Sequence, residues 1–151
     1  MTNKILYLSF DRFEKIKQYI QEDEDCFLVE IYGKECKTAD QFYKKISQIM
    51  SFPITAKSFD GFFDWIRDLS WIIPSKIVFV IYNFDLFMLQ DTKERSYLLT
   101  AFHEDILPWW EEEVKQHVIG GLPRKFDVYL VDEDTIVNTE DVPLRSDKTP
   151  E

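Results

Sequence analysis

Residues 77–82, IVFVIY, form an unbroken apolar run in which four of the six are β-branched. A strand with one wet face alternates apolar and polar residues. A run with no polar member is covered on both faces, as strands of a parallel sheet are. Three other stretches read as strands: 4–10 (KILYLSF), 27–32 (FLVEIY) and 126–131. Helical patterns lie between them, so the order is strand, helix, strand, helix, a short acidic helix, strand, helix, strand. Strands separated by helices imply right-handed crossovers. The expected fold class is α/β, a small, mostly parallel β-sheet packed with helices. Residues 1–138 are expected to form one domain. Residues 139–151 are polar and carry Pro143 and Pro150, and are expected to be a disordered tail.

The connecting helices can be placed from their apolar spacing and their end signals. Asp11 is a possible N-cap for 12–21, where Phe13, Ile16, Tyr19 and Ile20 share a face. Thr38 caps the next helix, with Gln41 three residues on as its capping-box partner and Phe42, Ile46 and Ile49 facing the core. Pro53 bars helix across the join that follows. A long helix is expected from about Thr92, with Tyr97, Leu98, Ala101, Phe102 and Ile106 inward. Pro108 either kinks it or starts a new segment, and Gly120 and Gly121 end it.

The acidic helix, SFDGFFDWIRDLSW at 58–71, is the unusual one. Phe59, Phe62, Phe63, Ile66 and Leu69 fall on one face. Asp60, Asp64 and Asp68 fall on the other, each four residues from the last. Ser58 is expected to N-cap the helix. Like charges one turn apart repel by a few tenths of a kcal/mol, and Asp68 lies near the negative end of the helix dipole. Arg67 offsets only part of this. Such a ridge gains from a cationic partner; the plain reading is a solvated acidic face.

Charge balance narrows the partners. The chain has 28 acidic against 18 basic residues, a net charge of −10. It repels nucleic-acid backbones and anionic membranes and attracts basic proteins. No apolar run approaches the ~20 residues of a membrane span, and the first residues lack a signal-peptide pattern, so a cytoplasmic location is expected. Cys26 and Cys36 have no paired spacing and read as reduced thiols. Four glycines in the whole chain leave no phosphate-cradling loop. His103-Glu104 begins like a zinc helix, but Leu107 occupies the second ligand position. Asp60 and Asp64 could bind Mg²⁺ or act as a general-acid pair, but no neighbouring third ligand or base supports that reading. The expectation is a non-enzyme with no cofactor and no metal.

These residues resemble the barstar family, intracellular inhibitors of a secreted ribonuclease. The family's second helix runs N-L-D-A-L-W-D-C-L with a Trp soon after. Its aspartates fall on Asp60 and Asp64, its small residue on Gly61, its apolar positions on Phe59, Phe62, Phe63 and Ile66, and its Trp near Trp71. Upstream, IYGKECKTADQFYKKISQIMSFP is similar to the family's first strand, turn and first helix. Downstream, Phe102-His103-Glu104 stands where the family has Phe-Arg-Glu, and 126–131 matches its last strand. The resemblance implies that the acidic helix and the loop before it plug the active site of a basic ribonuclease or ribonuclease-like toxin. Carboxylates there take the place of substrate phosphate. Asp64 is then the central contact, with Asp60 and Asp68 beside it and Glu104 as a further carboxylate. Gly61 allows close approach, and Ile54, Thr55, Lys57 and Trp71 complete the face. The family's pre-helix loop carries Tyr-Tyr-Gly where this chain has Ile54, Thr55 and Ala56. An acidic α/β module for another basic protein or toxin is the alternative.

Overall fold

The computed structural model describes residues 2–133. The tail expected over 139–151, and the last few residues of the expected domain, lie outside the described residues. Four strands, β1 (Ile5–Ser9), β2 (Cys26–Tyr32), β3 (Lys76–Tyr82) and β4 (Lys125–Asp132), form one sheet in the order β1-β4-β3-β2. Every pairing is parallel; Ile81 at the centre of β3 sits opposite Ile31 on β2 and Leu130 on β4. The apolar run lies on an interior strand, and all six of its residues are buried. Val78, Val80 and Tyr82 face one side, and Ile77, Phe79 and Ile81 the other. The chain is an α/β domain of three layers.

The first helix, α1 (Phe10–Glu22), covers one side alone. It carries the chain from the β1 edge to the opposite β2 edge, and its Phe13, fully buried, packs on Tyr82 and Tyr129 with ring centroids 5.8 and 5.2 Å apart. Its cap is Ser9, not Asp11: the strand ends in extended geometry at Ser9, whose hydroxyl accepts the Arg12 N–H at 3.3 Å. Asp11 sits in the first turn. Tyr19, expected on the buried face, is 75% exposed.

The return path lies on the other side. The helix α2 (Ala39–Ile49) has the expected capping box: Thr38 Oγ1 accepts from the Gln41 N–H, and Gln41 Oε1 accepts from the Thr38 N–H. After β3 come a short 3-10 turn (Phe84–Leu86) and α4 (Thr92–Ala101), with α3 (Phe59–Ile66) packed before β3. The rod that begins with α4 runs on through two π-helical turns, Phe102–Ile106 and Trp109–Glu113, into α5 (Val114–His117). Of the two expectations for Pro108, a new segment is not what forms, since helical turns continue through it. It lacks an N–H, and the wide turns on either side of it shift the hydrogen-bond register around the gap. Both cysteines are free thiols, and burial pushes the Cys36 thiol up to about 11.

Candidate functional site

The loop before α3 is tied to α2 by one hydroxyl. Ser47 Oγ donates to the Tyr43 carbonyl at 2.7 Å and accepts the Ala56 N–H at 2.9 Å. That anchor buries Ala56 and leaves Ile54, Thr55 and Lys57 exposed on either side of it. The loop then enters α3 at Ser58, whose side chain makes no capping bond, contrary to expectation.

Two turns of helix follow. Phe62 and Ile66 are fully buried, and Phe62 meets the rings of Phe42 and Phe102 at 5.5 and 5.9 Å. Asp60 and Asp64 lie one turn apart and exposed on the opposite side, with the Asp64 side chain 77% exposed. Gly61 stands between them. A Cβ there would lie 3.6 Å from Ala56, an ordinary contact, so the fold itself does not require glycine at this position.

The helix is shorter than its sequence period predicts. It ends at Ile66, and the Trp65 carbonyl accepts the N–H groups of Asp68 and Leu69 at 3.0 and 3.2 Å. Leu69 turns left-handed (φ 49°) and is fully buried. Asp68 thus lies on a turn, where its carboxylate accepts the Ser70 N–H at 3.2 Å, and is not a third step of a helical ridge. What stops the helix lies far along the chain. The Trp110 and Trp109 indoles donate to the carbonyls of Ile66 and Arg67, both at 2.9 Å, and so satisfy acceptors that a helix C-terminus leaves open. The pair carries no local sequence signal for this role. Trp71 does the same for α2, donating to the Met50 carbonyl at 2.7 Å; it is half-buried beside Phe52 and Trp65.

A row of rings flanks the acidic side. Tyr97, expected inward but 61% exposed, leans edge-on against Phe59 at 4.8 Å, and Phe59 stacks on Phe63 at 5.2 Å. The Arg67 guanidinium lies 3.8 Å from the centre of the Phe63 ring and 5.4 Å from that of Trp109. Held there, its Nη2 comes only within 3.8 Å of Asp64, beyond hydrogen-bond length, so the carboxylate keeps its acceptor capacity. Glu104 is exposed on the first π turn, between Tyr97 and Trp109 of the same rod, and both of those touch α3. The structure thus brings Asp60, Gly61, Asp64 and the 54–57 loop together, leaves Glu104 exposed on the neighbouring rod, and sets Asp68 and Trp71 beyond the helix end. Among the described residues, no three His, Cys, Asp or Glu side chains are placed to hold a metal ion. No described helix is long and apolar enough to cross a membrane.

Fold and face together define a small parallel α/β domain that exposes a short acidic helix. A family model described as Barstar (barnase inhibitor) matches residues 26–120, more than half of the chain, and the chain belongs to that family. The family is one of ribonuclease inhibitors, not enzymes. The match leaves out β1, α1 and β4. No curated protein and no solved structure matches the chain.

Proposed function

We propose that the chain inhibits a cationic ribonuclease, or a toxin of that kind, by seating the outward side of α3 in the enzyme's active site. The observation that carries this reading is the exposed Asp60–Asp64 pair on a family helix, in a chain of net charge −10. Asp64 takes the place of a substrate phosphate against the enzyme's cations, Asp60 flanks it, and Glu104 adds a carboxylate from the neighbouring rod. Gly61 lets the enzyme's wall approach, while Ile54, Thr55 and Lys57 meet its rim, with Asp68 and Trp71 at the far end. Opposite charge steers the encounter and speeds association. The inhibitor works in the cytoplasm as an immunity protein and itself catalyses nothing.

The test is an equimolar mixture with barnase, the enzyme in the family's description. RNA cleavage is expected to stop, and binding to weaken as salt rises to about 0.5 M, where exposed charges are largely screened. Affinity that does not change over that range contradicts an electrostatic plug. A second reading, a partner of another class, draws on the loop, which offers Ile54 and Thr55 where the family carries two tyrosines. Salt-sensitive binding to a basic non-nuclease, with RNA cleavage unaffected, favours that reading.

A further inference from the structure

Exposed apolar side chains gather at the C-terminal end of α3. Ile73 is 93% exposed, Leu122 77% and Val118 45%. They line a cavity of about 420 Å³ between the turn that follows α3 and the loop that leads into β4, with Trp110 in its wall. The cavity is held open by a built-in strut. The half-buried Arg124 donates to the Leu69 carbonyl at 2.9 Å and to the Pro74 carbonyl at 3.1 Å, and its guanidinium lies 5.0 Å from the centre of the Trp110 ring. Burial lowers the pKa of Arg124 from its ordinary value. Exposed large apolar residues scattered singly need no explanation, but a cluster around a preformed cavity marks an interaction surface.

We propose that this cavity receives an apolar anchor side chain of the same cationic partner that α3 engages; the proposal rests on the inhibitor reading. Two observations favour that occupant. Arg67 and Asp68 line the cavity, and Arg67 lies 3.8 Å from Asp64, so the cavity adjoins the acidic face. A second copy of this chain brings a net charge of −10 and is repelled by the first, whereas a cationic protein is attracted by the chain as a whole; the cavity itself, lined by Arg67, Asp68 and Arg124, supplies apolar contact rather than steering. The interface then has two parts with separate physics. The carboxylates supply steering and salt dependence, and the cavity supplies a desolvated anchor of the kind that dominates binding energy at protein interfaces. One wall of the cavity, formed by Leu122, Pro123 and Arg124, lies past the end of the family match.

The experiment titrates barnase into the parent chain, the double variant Ile73→Ser/Leu122→Ser, and Asp64→Ala, at low and high salt. Ile73 and Leu122 project to solvent, so the double variant is expected to melt like the parent. It should bind roughly ten-fold or more weakly, in the range of a lost anchor, with the salt dependence of the parent unchanged. Asp64→Ala should weaken binding and also flatten its salt dependence. If the double variant binds like the parent while Asp64→Ala does not, the anchor is disproved and the inhibitor reading stands. If both variants bind normally, or the parent does not bind barnase, both fall. Sedimentation of the free chain closes the remaining route: a dimer that the double variant abolishes assigns the cavity to a second copy and overturns the proposal.

Discussion

Two neighbouring helices on the same side of the sheet obey different rules. α2 has a complete capping box, three turns, and a side chain, Ser47, that bonds both its own backbone and the loop beyond. α3 has eight residues and no side-chain cap at Ser58, sets two carboxylates one turn apart on its wet side, and borrows its C-terminal hydrogen bonds from two tryptophans on another rod. A helix that short is marginal by itself. It persists because Phe62 and Ile66 are packed and because Trp109 and Trp110 close its end. α2 is built to hold and α3 is held, which leaves α3's exposed side open to residues chosen for something other than stability.

The contrast can be broken by substitution. The largest effects should fall on the side the helices share. Phe42→Ala and Phe62→Ala each remove a fully buried ring and should cost about 3–5 kcal/mol in denaturant melts. A much smaller loss at Phe62 alone would mean that α3 is only loosely docked.

Next come the borrowed hydrogen bonds. Trp110→Phe keeps most of the packing but leaves the Ile66 carbonyl buried without its donor, at about 1–3 kcal/mol. Melts should show that loss. Amide exchange should also show the last turn of α3 opening earlier, while α2 exchanges as before; uniform loosening of both helices would contradict a local cap.

The smallest effects separate the two N-termini. Thr38→Ala dismantles the capping box of α2 and should cost about 1 kcal/mol. Ser58→Ala removes a side chain that caps nothing and should change stability by no more than a few tenths of a kcal/mol. Equal costs in paired melts would erase the distinction drawn here.

Much of the sheet side of this molecule was legible in the sequence. The run at 77–82 announces its burial on both faces because five of its six side chains are wholly apolar and no charged residue interrupts it. Thr38 and Gln41 announce a helix start because a capping box is complete within four residues. The end of α3 was not legible, since its stop comes from indole donors more than forty positions away. Periodicity alone therefore carries the helix on to Trp71 and counts Asp68 as part of the ridge. Tyr97 departs from the helical period for a related reason: its ring lies outward against Phe59 of α3, a contact made only in the folded chain. The π turns around Pro108 leave no mark in the sequence beyond the proline. At the candidate site, Asp60 and Asp64 were readable as exposed carboxylates from spacing. The part Trp109 plays in seating Arg67 beside Phe63, where it pairs with Asp64 at 3.8 Å without a hydrogen bond, was not, because Trp109 comes from a distant segment.

The central claim is that the outward side of α3 is kept for binding, and Asp64→Ala tests it most directly. Asp64 is exposed, has one like-charged helical neighbour in Asp60, and meets Arg67 only at 3.8 Å. Removing it relieves the repulsion from Asp60 and gives up the Arg67 pair, each about 0.2–0.5 kcal/mol and of opposite sign, and introduces a better helix former. The free protein should therefore melt as before or up to about 0.5 kcal/mol more stably. Binding to the cationic ribonuclease should weaken by several kcal/mol, on the scale of a partner cation left buried without its counter-charge. A variant that unfolds more easily and still binds normally would show Asp64 to be a structural residue and would contradict the account.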